Sequence, residues 1–308
     1  MQQIASKRIK LMDGSMCGTL KDYGYDANVT PPHWTFEANL NVELMTKVYK
    51  TFADMNIDYL TTNTYHFGST LDENLGISEQ NRLKFDEYFM SSCKTLEHVT
   101  KEHNESGEHM CRVLGSIGTY AVKFHDMSEY NGQHIDDKNA YENCVQYFHT
   151  ILNMFMKHTN IRTFIFETIP AELEARAAVE ALSHFPDTSA VISFTLKADG
   201  CLRHGESLRP IAGYLEGNKQ IVGVGINCTD PSNVLAGLML IKHLEFDDVF
   251  VYPNRNDTFF ENPSCNTFVS EEMVKSWINN KATVFGGCCG VSTENLQQLK
   301  QYVENLSK

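Results

Sequence analysis

The chain lacks any run of basic residues, and its formal net charge is −13 over 308 residues. An acidic surface without a positive patch repels nucleic acid and anionic membranes alike, so neither is expected as a partner. No apolar stretch is long enough to cross a bilayer. Met1 to Lys10 holds no apolar core of the kind a secretory signal needs. There is no GxGxxG after the first strand-like run and no Walker A loop. Paired Cys-x-x-Cys spacing is also missing, and nine irregularly spaced cysteines do not make a disulfide framework. These absences lead us to expect a cytoplasmic protein whose thiols stay reduced and serve as metal ligands or nucleophiles. With no short repeat, low-complexity segment or linker, residues 1–308 are expected to form one domain.

What the chain does have is alternation. Short apolar, β-branched runs at Ile9–Met12, Ile57–Leu60, Arg112–Leu114, Thr163–Phe166, Ala190–Phe194, Ile221–Val224, Val249–Tyr252 and Thr283–Phe285 read as strands. Between them lie segments of helical period, such as Val42, Met45, Val48, Tyr49, Phe52 and Met55, or Tyr88, Phe89, Leu96 and Val99. Pro170 is expected in the first turn of a helix that has Glu172 and Glu174 near its positive end. Asp230-Pro231 reads as an N-cap followed by N1, and Ser270 as another cap. Eight such βα units in this length predict a (β/α)8 TIM barrel, with a doubly wound open sheet as the competing architecture. Catalytic residues of a barrel gather where the strands end. Here those positions hold Asp13, Thr62, Asn63, Ser116, Glu167, Cys228, Asn254, Cys288 and Cys289, with strand eight closing beside strand one.

The cysteines are the sharpest feature. Gly225-Ile226-Asn227-Cys228 and Gly286-Gly287-Cys288-Cys289-Gly290 each follow a strand-like run. A lone cysteine is ordinarily a buried, inert residue. A vicinal pair flanked by glycines, with a third thiol at another strand end, instead suits a three-ligand zinc site with one open position. Three thiolates make that site electron-rich, suited to holding a further thiol as a nucleophilic thiolate. Asp13 and Glu167 can accept from a substrate ammonium group, and backbone N–H groups of the Gly14-Ser15 turn can donate to its carboxylate. An amino-acid thiol fits that set.

Asp13-Gly14, Thr61-Thr62-Asn63-Thr64-Tyr65, Gly115-Ser116-Ile117-Gly118, Phe166-Glu167-Thr168-Ile169-Pro170, Gly225-Ile226-Asn227-Cys228, Tyr252-Pro253-Asn254 and Gly286-Gly287-Cys288-Cys289 together resemble the homocysteine S-methyltransferase family, in its order and over nearly the whole chain. The resemblance implies a zinc-bearing barrel that methylates homocysteine to methionine. It matches Cys228, Cys288 and Cys289 to the zinc ligands, and Asp13 and Glu167 to the grip on the homocysteine amino group. Asn254 matches an asparagine that lies near the metal in some relatives, as a fourth ligand or a mouth residue. The chain departs from the family at Ser15 (usually glycine), Leu20 (usually acidic), His66 (often glutamine) and Gly290 (commonly arginine).

Folate-dependent relatives carry extra domains and betaine-dependent ones a longer C-terminal arm. The expected donor is therefore a sulfonium, S-methylmethionine or S-adenosylmethionine. Asn63, Tyr65 and His66 are candidate donor contacts. Trp34, Phe36 and Tyr120 also fall on mouth loops, where core or rim packing is the ordinary role of an aromatic ring. Cys17, Cys93, Cys111, Cys144, Cys201 and Cys265 are read as structural. The expected partners are small molecules only, and the expected state is a monomer or weak homo-oligomer. Competing readings are a selenocysteine or other thiol methyltransferase, a betaine-dependent enzyme on the same site, a non-catalytic zinc barrel, and a thiol redox protein using Cys288-Cys289.

Overall fold

The structure, a computed structural model, describes residues 8–25, 35–71, 79–107, 109–255 and 268–306. Trp34 and Cys265 lie outside them. Eight parallel strands run β1 (Lys10–Leu11), β2 (Tyr59–Thr61), β3 (Arg112–Gly118), β4 (Thr163–Ile169), β5 (Ser189–Phe194), β6 (Ile221–Asn227), β7 (Asp248–Tyr252) and β8 (Val284–Phe285). Each pairs with its sequence neighbour from β2 to β8, and β8 pairs with β1. The ring closes between β1 and β2 through a parallel bridge at Met12 and Tyr59 and the bond from Asp13 N to Tyr59 O at 3.1 Å. The open-sheet alternative is thereby excluded, and the barrel expectation holds.

Helices α1 (Met16–Asp22) and α2 (Val42–Ala53) follow β1. The outer layer continues with α3 (Glu79–Glu105), α4 (Ala140–His158), α5 (Glu172–Ser183), α6 (Leu208–Glu216), α7 (Pro231–Ile241), α8 (Glu271–Asn279) and α9 (Thr293–Leu306). Their caps follow from side-chain chemistry. Ser15, Asn41, Ser207, Asp230 and Ser270 each accept a first-turn N–H, and Pro231 stands just inside α7 as expected. Pro170 is a correction: the N-cap of α5 is Ala171, so Pro170 stands before the helix. Its carbonyl instead accepts from His204 N at 3.0 Å, tying it to the loop after β5.

Two apolar layers result. Helix faces pack Met45, Val48, Tyr49 and Phe52 of α2 and Phe89, Leu96 and Val99 of α3 against the outside of the sheet, while Val42 stays exposed. Inside the ring, Met12, Tyr59, Leu114, Ile165, Val191, Phe250, Tyr252 and Val284 fill the barrel. The strands' N-terminal end is closed by a polar plug. Lys10 Nζ lies 2.7 Å from both Asp248 oxygens, and the Tyr59 hydroxyl donates to Asp248 Oδ2 at 2.8 Å. Removing the carboxylate strands a largely buried ammonium. We expect Asp248→Ala to cost about 2–4 kcal/mol in urea denaturation, with Asp248→Asn losing less because it keeps the acceptor.

Candidate metal centre and substrate mouth

At the opposite end of the barrel the three strand-end cysteines converge. Their sulfurs all lie within 4.8 Å of one another. Cys228 and Cys288 are 2.7 Å apart, and each is 4.0 Å from Cys289. Tetrahedral zinc with ~2.3 Å bonds would place its sulfurs ~3.8 Å apart, so two of the three edges already have that length. The third is shorter, by about 1 Å against that geometry. Hydrogen bonds from Cys288 and Cys289, helped by Thr168 and Tyr130, hold the Cys228 thiol well below its ordinary pKa, so this cluster favours a thiolate. Beside it sits the buried amide of Asn254, neither of whose polar atoms has a protein partner. Thiol donors with unsatisfied polar neighbours suit a thiophilic cation.

Backbone geometry makes the convergence possible. Cys228 has φ of 45°, a left-handed conformation that turns the chain at the end of β6. Its carbonyl is held by Thr195 Oγ1 at 2.8 Å. Cys288 N donates to Pro253 O, and Arg255 N to Cys289 O, both at 2.9 Å, so the end of β7 carries Asn254 alongside the pair. Gly290 has φ of 76°, where a side chain such as arginine would be strained. Gly286 is required for a different reason: a Cβ there would lie 2.3 Å from Met12 Cγ and 2.7 Å from Asp13 O. That close approach brings the cysteine pair to the end of β1.

Asp13 and Glu167 face this mouth from β1 and β4. Asp13 Oδ2 accepts from Thr61 N at 2.6 Å and from Thr61 Oγ1 at 2.9 Å, yet burial still raises its pKa to about 7. Glu167 Oε2 accepts from Ser116 Oγ at 2.7 Å, and burial, with the charge of Asp13, pushes it to about 8. Ser116 is itself placed by Thr62, whose hydroxyl meets Ser116 N at 2.9 Å. A buried carboxyl raised further by a neighbouring carboxylate gains from a cation beside the two.

Sequence reasoning missed how Glu167 is aimed. The register between β4 and β5 slips between Phe166 and Ile169, and Thr168 adopts φ of 63°, a strained value for a β-branched residue. Buried Asn227 holds that bulge, accepting from Thr168 N at 3.0 Å and donating to Thr168 Oγ1 at 2.9 Å. Also unforeseen are Glu129, Tyr130 and Arg203, on loops after β3 and β5. Glu129 is raised to about 7 by burial and by the nearby Cys228 charge. Tyr130 carries the Arg203 guanidinium 5.4 Å from its ring centre.

The donor candidates divide. Tyr65 is half-buried with its hydroxyl by Thr168 and near Cys228, and its ring meets His66 edge-on at 4.9 Å. Burial and the neighbouring His125 lower His66 to about 4, leaving it neutral near pH 7. Asn63 is spent on structure: its amide bonds Thr35 O at 2.7 Å and Asn39 Oδ1 at 2.9 Å, and accepts from Thr35 Oγ1. Phe36 packs on Phe67 and Tyr88, and Tyr120 on Tyr147, so both rings belong to the core. Gly14 follows Asp13, and Ser15 caps α1 through Gly18 N. Leu20 is fully buried, where a carboxylate would be left without water.

Comparison with known proteins bears on the family and the fold. The family model for homocysteine S-methyltransferase matches residues 10–303. Homocysteine S-methyltransferase YbgG of Bacillus subtilis is 26% identical over 96% of this chain and 95% of its own length. The betaine-homocysteine S-methyltransferase of Drosophila melanogaster is 25% identical over 90% and 88%. Among solved structures, the metallated form of the homocysteine methyltransferase MmuM from Escherichia coli superposes with a TM-score of 0.79 at 24% identity, covering 95% of this chain and 96% of that one, and shares the barrel fold. With its family model running from the first strand into the last helix, the chain belongs to the homocysteine S-methyltransferase family and is a methyltransferase acting on homocysteine.

Proposed function

We propose that the protein transfers a methyl group from a sulfonium donor, S-methylmethionine or S-adenosylmethionine, to homocysteine in a zinc-dependent reaction that yields methionine. The observation that carries this reading is the convergence of Cys228, Cys288 and Cys289 at the mouth of the barrel. These three residues would hold the zinc, with the unpartnered amide of Asn254 beside them. Bound there, zinc would supply a cation that takes up a thiol and favours its thiolate form near neutral pH.

The chain's own residues orient both reactants. Asp13 and Glu167 receive the homocysteine ammonium between them, and backbone N–H groups at Gly14 and Ser15 receive its carboxylate. The electron pair of the homocysteine sulfur forms the new C–S bond, while the donor's C–S bond breaks toward its own sulfur. A neutral thioether leaves and the proton of the homocysteine thiol goes to solvent as the thiolate forms, so no redox equivalent is needed. In-line placement of the two sulfurs can supply several kcal/mol of the barrier. Tyr65 and Tyr130 offer aromatic faces to a cation, each worth about 0.5–2 kcal/mol. Eight described cysteines are free thiols, which suits a reducing cytoplasm. Among the described residues no helix is long and apolar enough to cross a membrane.

A donor panel tests the reading. Zinc-loaded protein with homocysteine should form methionine from S-methylmethionine or S-adenosylmethionine at least about tenfold faster than from betaine, because a thioether leaves more readily than an amine. Turnover from betaine alone would replace the donor class. Methylation of selenocysteine in preference to homocysteine would replace the acceptor.

A further inference from the structure

We propose that Arg203 grips a carboxylate on the methyl donor, so that the enzyme selects donors that carry one. This rests on the methyl-transfer reading above and adds a recognition residue on the donor side.

Arg203 sits in a small hairpin after β5, closed by antiparallel bridges Leu196 with Leu202 and Cys201 with Ser207. The hairpin is fixed on several sides. His204 N donates to Pro170 O at 3.0 Å, His204 Nδ1 lies 2.9 Å from Glu206, and His204 Nε2 lies 3.2 Å from Asp136 on the loop after β3. The two loops also touch at Gly132, where a Cβ would come within 2.6 Å of His204 Cβ. Arg203 is thus presented by a clasp of two loops rather than by a free chain segment.

Tyr130, Cys228 and Asp230 act on its charge, but its hydrogen bonds leave the end of the guanidinium open. Nε donates to Thr195 Oγ1 at 3.1 Å, and that hydroxyl bonds Cys228 O, placing the guanidinium one residue from a proposed zinc ligand. The group lies half-buried over Tyr130, whose hydroxyl end points toward Cys228. Among the described residues no carboxylate forms an ion pair with it. A guanidinium anchored through Nε keeps its terminal N–H fork, the geometry that binds carboxylate with two parallel bonds. The mouth is otherwise lined by carboxyls and thiols, Asp13, Glu167, Glu129 and the three cysteines, which give a donor carboxylate no matching charge. β5 also lies across the ring from β1, which carries Asp13.

The test compares dimethylsulfonioacetate with trimethylsulfonium, two donors that differ in one carboxylate, using zinc-loaded protein and saturating homocysteine. Wild type should prefer the carboxylate-bearing donor in kcat/KM. Arg203→Gln should reduce that preference by about 10- to 100-fold, mostly through KM, and Arg203→Lys should restore part of it. Equal losses with both donors would assign Arg203 to supporting Tyr130 and overturn the inference, as would an unchanged preference. If wild type uses neither sulfonium nor S-methylmethionine, the methyl-transfer reading has failed instead. Equilibrium dialysis with labelled dimethylsulfonioacetate then decides for Arg203 without turnover: binding lost in Arg203→Gln upholds the grip, and equal or absent binding removes it.

Discussion

Cys288→Ala is expected to abolish stoichiometric zinc binding and to lower methionine formation by about three orders of magnitude or more, since two thiolates alone make a poor site. The residue is half-exposed at a strand end, and its backbone N–H still reaches Pro253 O in the variant, so the barrel should remain intact. Far-UV circular dichroism should therefore match wild type, and the melting temperature of the metal-free forms should agree within about 5 °C. Cys288→Ser should behave almost like alanine, because a hydroxyl does not ionise near neutral pH as a thiol does. Full zinc retention measured by mass spectrometry in Cys288→Ala would show that the metal sits elsewhere.

Glu167→Gln should weaken homocysteine and stabilise the empty protein at once. Glutamine keeps an acceptor for Ser116 but offers no charge to the substrate ammonium, so the homocysteine KM should rise about 30- to 100-fold. Stability moves the other way because burial raises the carboxyl to about 8. A carboxyl whose folded pKa exceeds its unfolded value favours folding at low pH, and that contribution is lost as pH rises through the folded pKa. The cost in wild type grows from near pH 4.5 and is complete above about pH 8. Thermal unfolding of ligand-free protein should thus show little difference between wild type and variant near pH 5. Above pH 8 the variant should melt about 2–6 °C higher. In wild type, the homocysteine KM should rise as pH falls and Asp13 and Glu167 take up protons. A melting difference between variant and wild type no larger at pH 8 than at pH 5 would mean that Glu167 is not held at a cost.

The barrel could be read from the chain because each strand is short, apolar and ends in polar residues at a position the fold places at one mouth. Asp13, Glu167 and the three cysteines were legible for that reason: a charge or thiol at the end of an apolar run has few other roles. Asn254 was visible in the same way, and its orphaned amide gives it a physical reason to be there. What escaped were features of backbone and long loops. The bulge at Thr168 depends on Asn227, 59 residues later, and no local pattern announces a left-handed threonine. Glu129, Tyr130 and Arg203 come together only because His204 ties the loop after β5 to Asp136 on the loop after β3. Pro170 shows the same limit: proline suits a first helical turn, but here His204 holds it outside the helix. Gly290 and Leu20, which differ from the family's habit, are explained by a positive φ and by complete burial.

The central claim is that three convergent thiols and a metal together make this barrel a methyltransferase for homocysteine. The most direct test is the initial rate of methionine formation from homocysteine and S-methylmethionine, measured on one preparation before chelation, after chelation, and after titration with zinc. The account predicts that the rate vanishes on chelation and returns in proportion to zinc, reaching a plateau at one equivalent per chain. Undiminished turnover in the chelated protein, or a plateau that ignores the loss of Cys228, Cys288 or Cys289, would contradict it.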